Sequence, residues 1–298
     1  MLTVTWTDPR GKIWDLSGGT EGVILDLGQE GLDWSGIEHT WLRGDSVWAA
    51  ARLSRGIHPL KISIGYSPAT GWFTGDALYR LIDEWWTQAN SPFELGTLTV
   101  TRPDGETRSR RLRLAESPDT SYTFDPGLGE EPVVEAWVLT GDGPWWEGPE
   151  QVYRYDADDV SGTSTPFYGP TGAGWPLYIS AGVSAGDAWV ANRGQGPMWL
   201  RWTIAGPVVN PVFGIGDAVL AYQGSVLSGQ IIEVETDPTM RSVIDTADIA
   251  RPSLYEQVSG TWAAAPVGDR VPVVIRADSI GAGGSITATG RAKYARAF

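Results

Sequence analysis

Apolar and polar residues alternate with a period of two along most of this chain, in short runs cut by glycine and proline. Met198, Leu200, Trp202 and Ile204 fall on one side of an extended backbone and Trp199, Arg201 and Thr203 on the other, which predicts a strand that Gly206-Pro207 stops. Gln230 to Thr236 repeats the pattern, with Ile231 out of phase with Ile232 and Val234, and Asp237-Pro238 closes it as a turn. Explicit turn chemistry predicts two hairpins. One joins Thr3–Trp6 to Lys12–Leu16 through Asp8-Pro-Arg-Gly11, and the other joins Leu98–Arg102 to Thr107–Leu114 through Pro103-Asp-Gly105. Leu60, Ile62 and Ile64 share one face of a further strand, and Val133–Leu139, Gln151–Tyr155, Leu177–Ser180, Ala188–Ala191, Ser242–Asp245, Pro272–Arg276 and Ser285–Thr289 read as others.

One segment has helical spacing. Leu78, Leu81, Ile82, Trp85 and Ala89 recur on a single stripe, Thr74-Gly-Asp76 offers capping oxygens, and Asn90-Ser-Pro92 ends the run. The stripe should seal one face of a sheet. From Ile37 to Arg55, Trp41, Trp48 and Leu53 mix with Arg43, Asp45, Arg52 and Arg55, which reads as an exposed arm rather than a core element. Thr140 to Pro149 is dense in breakers and places a domain boundary there, so two β-rich domains are expected, 1–146 and 147–298. The fold class is mainly β, with an N-terminal sheet domain carrying one packed α-helix and a C-terminal antiparallel β-sandwich. Residues 246–260 read as irregular, with a short helical turn.

The 298 residues are enough for two cores, and 42% hydrophobic with 19% charged residues suits a globular chain. No apolar run approaches the ~20 residues of a membrane helix. The N-terminus has neither the basic start nor the apolar stretch of a signal peptide, so synthesis and folding in a cytoplasm are expected. There is no Cys, which removes disulfides and thiolate chemistry. The formal charge of -14 is uneven: residues 1–115 hold 12 Lys+Arg against 14 Asp+Glu, and the remainder 10 against 22. The second half would repel a phosphate backbone, so specific nucleic-acid binding is not expected.

Catalytic patterns are sparse. The two histidines, His39 and His58, sit in loop-like surroundings, and there is no phosphate loop or nucleophile elbow. The carboxylate pairs Asp83-Glu84, Glu130-Glu131 and Asp158-Asp159 read as solvated neighbours on a helix or loops, so no enzyme activity, metal or cofactor is expected. Arginine supplies most of the cationic charge, only 3 of the 22 basic residues being Lys. Arg108, Arg110, Arg111 and Arg113 crowd one predicted strand. Such a strand is either a solvated edge protected by charge or a contact with a neighbouring copy's carboxylates, which suit the guanidinium fork. Trp41 and Trp48 join these four as candidate subunit contacts. Sixteen tryptophans also permit stacking on sugar rings, with Trp145, Trp146, Trp175 and Trp189 as the candidate glycan platform. Tryptophan is, however, enriched in cores and interfaces.

Three stretches carry a likeness to a known family. Asn192-Arg-Gly-Gln-Gly-Pro197 opens the central strand, which ends at the Gly-Pro break before Gly229-Gln-Ile-Ile-Glu-Val-Glu-Thr-Asp-Pro238. The start, Asp8-Pro-Arg-Gly-Lys-Ile-Trp-Asp-Leu16, precedes Gly31-Leu32, and Ser285-Ile begins a closing strand with an aromatic terminus, Phe298. Together they resemble the distal tail proteins of siphophages, called minor tail proteins in phages of actinobacteria. Pro144-Trp145-Trp146 is similar to the family's aromatic element at its inter-domain junction. The resemblance implies a virion structural protein whose first domain forms a ring, expected to be a hexamer, connecting the tail tube to the tail tip or baseplate. It also implies that the arm lies across a neighbouring subunit and that the second, galectin-like domain is peripheral and offers a docking surface. The implied partners are further copies, tube and hub or tip proteins, and a host cell-surface glycan; the implied place is the virion tail. A carbohydrate-binding module or glycan hydrolase acting alone is the competing class.

Overall fold

The computed structural model describes residues 2–26, 29, 31–32, 36–42, 47–89, 91–120, 125–128, 131–156, 183–184, 188–250 and 252–298. The expected strand at 177–180, the Asp158-Asp159 pair, Glu130, Arg43, Asp45 and Trp175 lie outside these. The described residues are mainly antiparallel strand with one α-helix. The chain divides into two compact units. The first comprises Met1–Pro149 with Lys293–Phe298, the second Glu150–Ala292. The last six residues therefore return to the first unit.

The first unit contains β1 (Thr3–Thr7), β2 (Ile13–Asp15), β3 (Val23–Leu25), β4 (Ile37–Leu42), β5 (Val47–Leu53), β6 (His58–Ile64), β7 (Tyr66–Ser67), β8 (Gly71–Trp72), α1 (Asp76–Glu84), β9 (Gly96–Thr101), β10 (Thr107–Thr120), β11 (Val133–Thr140) and the start of β12 (Trp146–Asp156). Both predicted hairpins form, as β1–β2 and β9–β10. In the first, the turn is held by Asp8, whose buried carboxylate accepts from the Arg10 and Lys12 amides at 2.9 Å and from the Trp14 indole at 3.3 Å. Strand β10 serves two sheets. Residues 107–112 pair with β9, and from Arg113 onward the strand pairs with β11, with register slips on both sides of Glu116; β11 pairs with β6, and β6 with β3. Such an irregularity bends a strand and lets one long element close a core from two sides.

Helix α1 covers that core through Leu78 and Leu81. Its start differs from expectation: no side chain caps it, and Gly75 at φ 54° takes the entry instead, a backbone angle that favours glycine. Its end differs too, because Trp85–Ala89 continues as a wider π turn. The extra residue per turn brings adjacent Trp85 and Trp86 both against Trp137, at ring-centre distances of 5.6 and 5.3 Å. Beneath them Glu135 is fully buried, its two oxygens accepting from the Trp86 and Trp137 indoles at 2.9 and 2.8 Å. Burial raises the Glu135 carboxyl above the usual carboxylate range, against the pull of those two donors.

The second unit holds the rest of β12, then β13 (Val183–Ser184), β14 (Trp189–Asn192), β15 (Leu200–Ala205), β16 (Val208–Val209), β17 (Val212–Ile215), β18 (Ala218–Tyr222), β19 (Ser225–Val226), β20 (Ile231–Glu235), β21 (Ser242–Asp245), β22 (Val258–Gly260), β23 (Gly268–Ala277), β24 (Ser279–Ile280) and most of β25 (Ser285–Tyr294). One sheet runs β25–β15–β20–β21 and another β13–β23–β17–β18–β22. Their inner faces interdigitate: Trp202 of β15 meets Phe213 of β17 at 5.2 Å within an aliphatic core that includes Leu200, Ile204, Val234 and Ile275. The Asn192–Pro197 loop is built around one buried amide. Asn192 donates to the Gly196 and Ala265 carbonyls, both at 2.9 Å, and accepts from the Gly194 amide at 3.1 Å, so its polar atoms are satisfied inside the fold.

Candidate subunit interface

The segment read as an arm is a β-hairpin that, among the described residues, joins no other sheet. Strands β4 and β5 pair from Ile37↔Leu53 to Leu42↔Val47, with one irregularity beside Trp41. All six residues of β4 are exposed, among them Ile37, Trp41 at 47% and Leu42. Trp48 is the register partner of Trp41. Glu38 and Arg52 face each other across the pair and bond at 2.6 Å. Two strands without a third to pack on are marginal in water, and large exposed apolar side chains in one patch mark an interaction surface.

The four arginines of β10 separate by face. Arg111 is exposed. Arg113 donates to both oxygens of Asp142 at 2.5 and 2.7 Å. Arg108 and Arg110, 8% and 3% exposed, point into the first unit and make their bonds there. Arg108 donates to the Arg296 carbonyl at 3.1 Å, lies 3.9 Å from the centre of the Tyr294 ring and is 3.5 Å from Glu106, so it fastens the returning C-terminal residues. Arg110 donates to the carbonyls of Arg55 at 2.5 Å and Gly143 at 2.7 Å. Burial lowers its pKa to about 10.

His58 stands beside it. The histidine opens β6 and is 1% exposed, not in the loop-like setting its neighbours suggested. It lies two residues before Leu60 in the same alternation, and that phase was the signal for its burial. Its Nδ1 is 2.6 Å from the Gly31 carbonyl, which fixes Nδ1 as the protonated nitrogen and leaves Nε2 buried with no hydrogen-bond partner among the described residues. Burial first, and Arg110 second, lower its pKa to about 4, against the Gly31 bond. Gly31 has to be glycine, because a Cβ there would stand 2.4 Å from the Pro59 carbonyl. Thr140 donates to the Gly56 carbonyl at 3.1 Å, and Ser54 bonds the Gly36 carbonyl through its amide. The Ser54 bond closes the base of the arm, and the rear root is tied to the core through the Arg55 and Gly56 carbonyls, a use that the arginine spacing did not reveal.

Of the candidate glycan platform, Trp175 lies outside the described residues and the other tryptophans differ in exposure. Trp146 is fully buried with its ring edge-on to His58 at 6.1 Å, and Trp145 is half-buried. Trp189 is exposed, with the Arg270 guanidinium 6.0 Å from its ring centre. Among the described residues, no group of three or more His, Asp or Glu side chains is placed to hold a metal ion.

No protein-family model matches the sequence, and no curated protein does. Solved structures do. The Dit protein of phage SPP1, described as a paradigm of the hub adsorption apparatus in phages infecting Gram-positive bacteria, superposes with a TM-score of 0.61 over 98% of this chain and 99% of that one, at 11% identity. The chain has the fold of a siphophage distal tail protein. The same fold recurs in the phage p2 baseplate in its activated conformation with Ca, at a TM-score of 0.55, 11% identity and coverage of 97% and 98%. With Sr in place of Ca the TM-score is 0.51 at the same identity. Because the superposition with the SPP1 protein spans nearly the whole of both chains, the distal-tail-protein fold takes in both units.

Proposed function

We propose that this protein is a non-enzymatic structural component of a long-tailed phage virion, a distal tail protein whose first unit forms a ring of six copies between the tail tube and the tail tip or baseplate. Whole-length likeness to a hub protein and to a baseplate component supports the tail role. The single observation that carries ring formation is the arm, a solvated hairpin with Ile37, Trp41 and Leu42 on display and no partner sheet among the described residues. In this reading it lies across the neighbouring copy. Trp41 and Trp48 supply apolar contact and Arg111 meets the neighbour's carboxylates, while Arg108, Arg110 and Arg113 act within the chain. The second unit is peripheral and offers a docking surface to other tail proteins, with a host glycan as a further ligand. The protein assembles in the host cytoplasm and resides in the virion tail.

Native mass spectrometry of the full chain tests this. The expected species is six times the 32.2 kDa of one chain, alone or after addition of the tube protein of the same phage. A lone monomer under both conditions that cleaves a polysaccharide would replace this reading with the glycan hydrolase.

A further inference from the structure

The arm leaves the first unit between two carbonyls, and both are held by buried side chains that touch each other's field. Gly31, ahead of the arm, accepts from His58, and Arg55, just behind it, accepts from Arg110. Packed around this pair are the Gly31 loop, β10, β11 through Thr140 on Gly56, and Trp146 at the start of β12. Among the described residues, Arg110 is the charged group that acts on the imidazole. The only site where His58 can accept a proton is Nε2, which is buried and has no hydrogen-bond partner among the described residues. A proton there creates an N–H with nothing to donate to and a second cation beside the guanidinium, in a place where charge is costly.

We propose that His58 and Arg110 form an acid-sensitive clasp on the root of the arm: when Nε2 gains a proton, the pair separates, the Gly31 and Arg55 carbonyls are released to water, and the arm comes free of its fixed position. At neutral pH the clasp aims the hairpin; on acidification the ring loses the contact that depends on that aim. Only the step from freed arm to opened ring rests on the ring reading above. The clasp itself is a property of one chain. Arg110 is here a positioning residue, acting on the arm through the Arg55 carbonyl.

Hydrogen exchange of the full chain from pH 7 to pH 3.5, normalised to the intrinsic rate at each pH, tests the clasp. Exchange at residues 53–58 is expected to rise at least tenfold across that range, and to rise much less in His58→Gln, whose amide can still donate to Gly31 but cannot take a proton. Near-UV circular dichroism of the buried tryptophans should stay constant over the same range. The wild-type chain gives an independent check if the variant folds poorly, because the His58 ring proton and the arm-root amides should titrate with one midpoint. An equal rise in His58→Gln, unchanged exchange in the wild type, or separate midpoints would overturn the clasp. Mass photometry at pH 7, without and with the tube protein of the same phage, reports the ring separately: monomers under both conditions would sink the ring reading and leave the exchange result to decide the clasp.

Discussion

Two hairpins of the first unit, β4–β5 and β9–β10, each set six residues against six, yet they place charge and apolar surface in opposite ways. In β9–β10 the buried face carries Leu98, Val100 and Leu112, and it also takes in Arg108 and Arg110. In β4–β5 tryptophan, leucine and isoleucine face water. The difference lies in what each hairpin can reach. Strand β10 passes beneath the arm root and the C-terminal residues, where free carbonyls stand at the ends of irregular segments, and a guanidinium can satisfy them while its stem packs on the core. Among the described residues the arm pairs with no other strand and Ile37, Trp41 and Leu42 stay exposed, which is the surface a second molecule would cover.

The sharpest break of this contrast is Arg110→Ala. It removes the buried guanidinium's bonds to the Arg55 and Gly143 carbonyls and the packing of its stem, and should lower stability by about 1–3 kcal/mol, read as a shift of the urea midpoint. Lysine at this position should recover little, since it cannot present a fork to two carbonyls.

Next comes the pH dependence. His58 has its folded pKa lowered from 6.5 to about 4, so the unfolded chain binds a proton first as pH falls. Its contribution is therefore fully present above about 6.5 and is lost on the way down to about 4, in all roughly 3 kcal/mol at 1.36 kcal/mol per pH unit. Glu135 works the other way, because its raised carboxyl pKa makes the fold hold a proton more readily than the unfolded chain. Urea melts of the wild type and His58→Gln at pH 7 and pH 4.5 separate the two. The wild type should lose more stability than the variant, and equal losses would mean that His58 is not the group responsible.

Smaller still is Trp41→Ala, which should leave monomer stability within about 0.5 kcal/mol and weaken assembly by about 2 kcal/mol per contact, measured as the concentration at which the ring dissociates. The least effect is expected for Arg111→Ala. Stability should be unchanged within about 0.5 kcal/mol, and assembly should become less sensitive to salt, as for an exposed ion pair at an interface rim.

Period-two alternation made the strands legible, and the turn residues made both hairpins legible, because each depends on neighbours in sequence. Helix α1 was readable from its stripe, yet its π turn was not, since the widening serves Trp137 and Glu135, some fifty residues away. The start of β12 at Trp146 was hidden by the Gly148-Pro149 pair that follows it. The interior role of Arg108 could not be read at all, for its partner carbonyl belongs to Arg296, 188 residues later. The exposed arm was legible because nothing in its pattern offers a face to a core. The side on which an arginine-rich strand turns its charge is a tertiary fact, and local pattern carries no record of it.

The central claim is that a second copy of this chain covers the apolar arm. A photo-reactive benzophenone side chain placed at Trp41 tests it most directly, with irradiation at neutral pH and mass spectrometry of the linked peptides from mixed isotopically light and heavy chains. The account predicts that the links join light to heavy chains through the first unit. Links confined to single chains, or none above those of a monomer control, would contradict it.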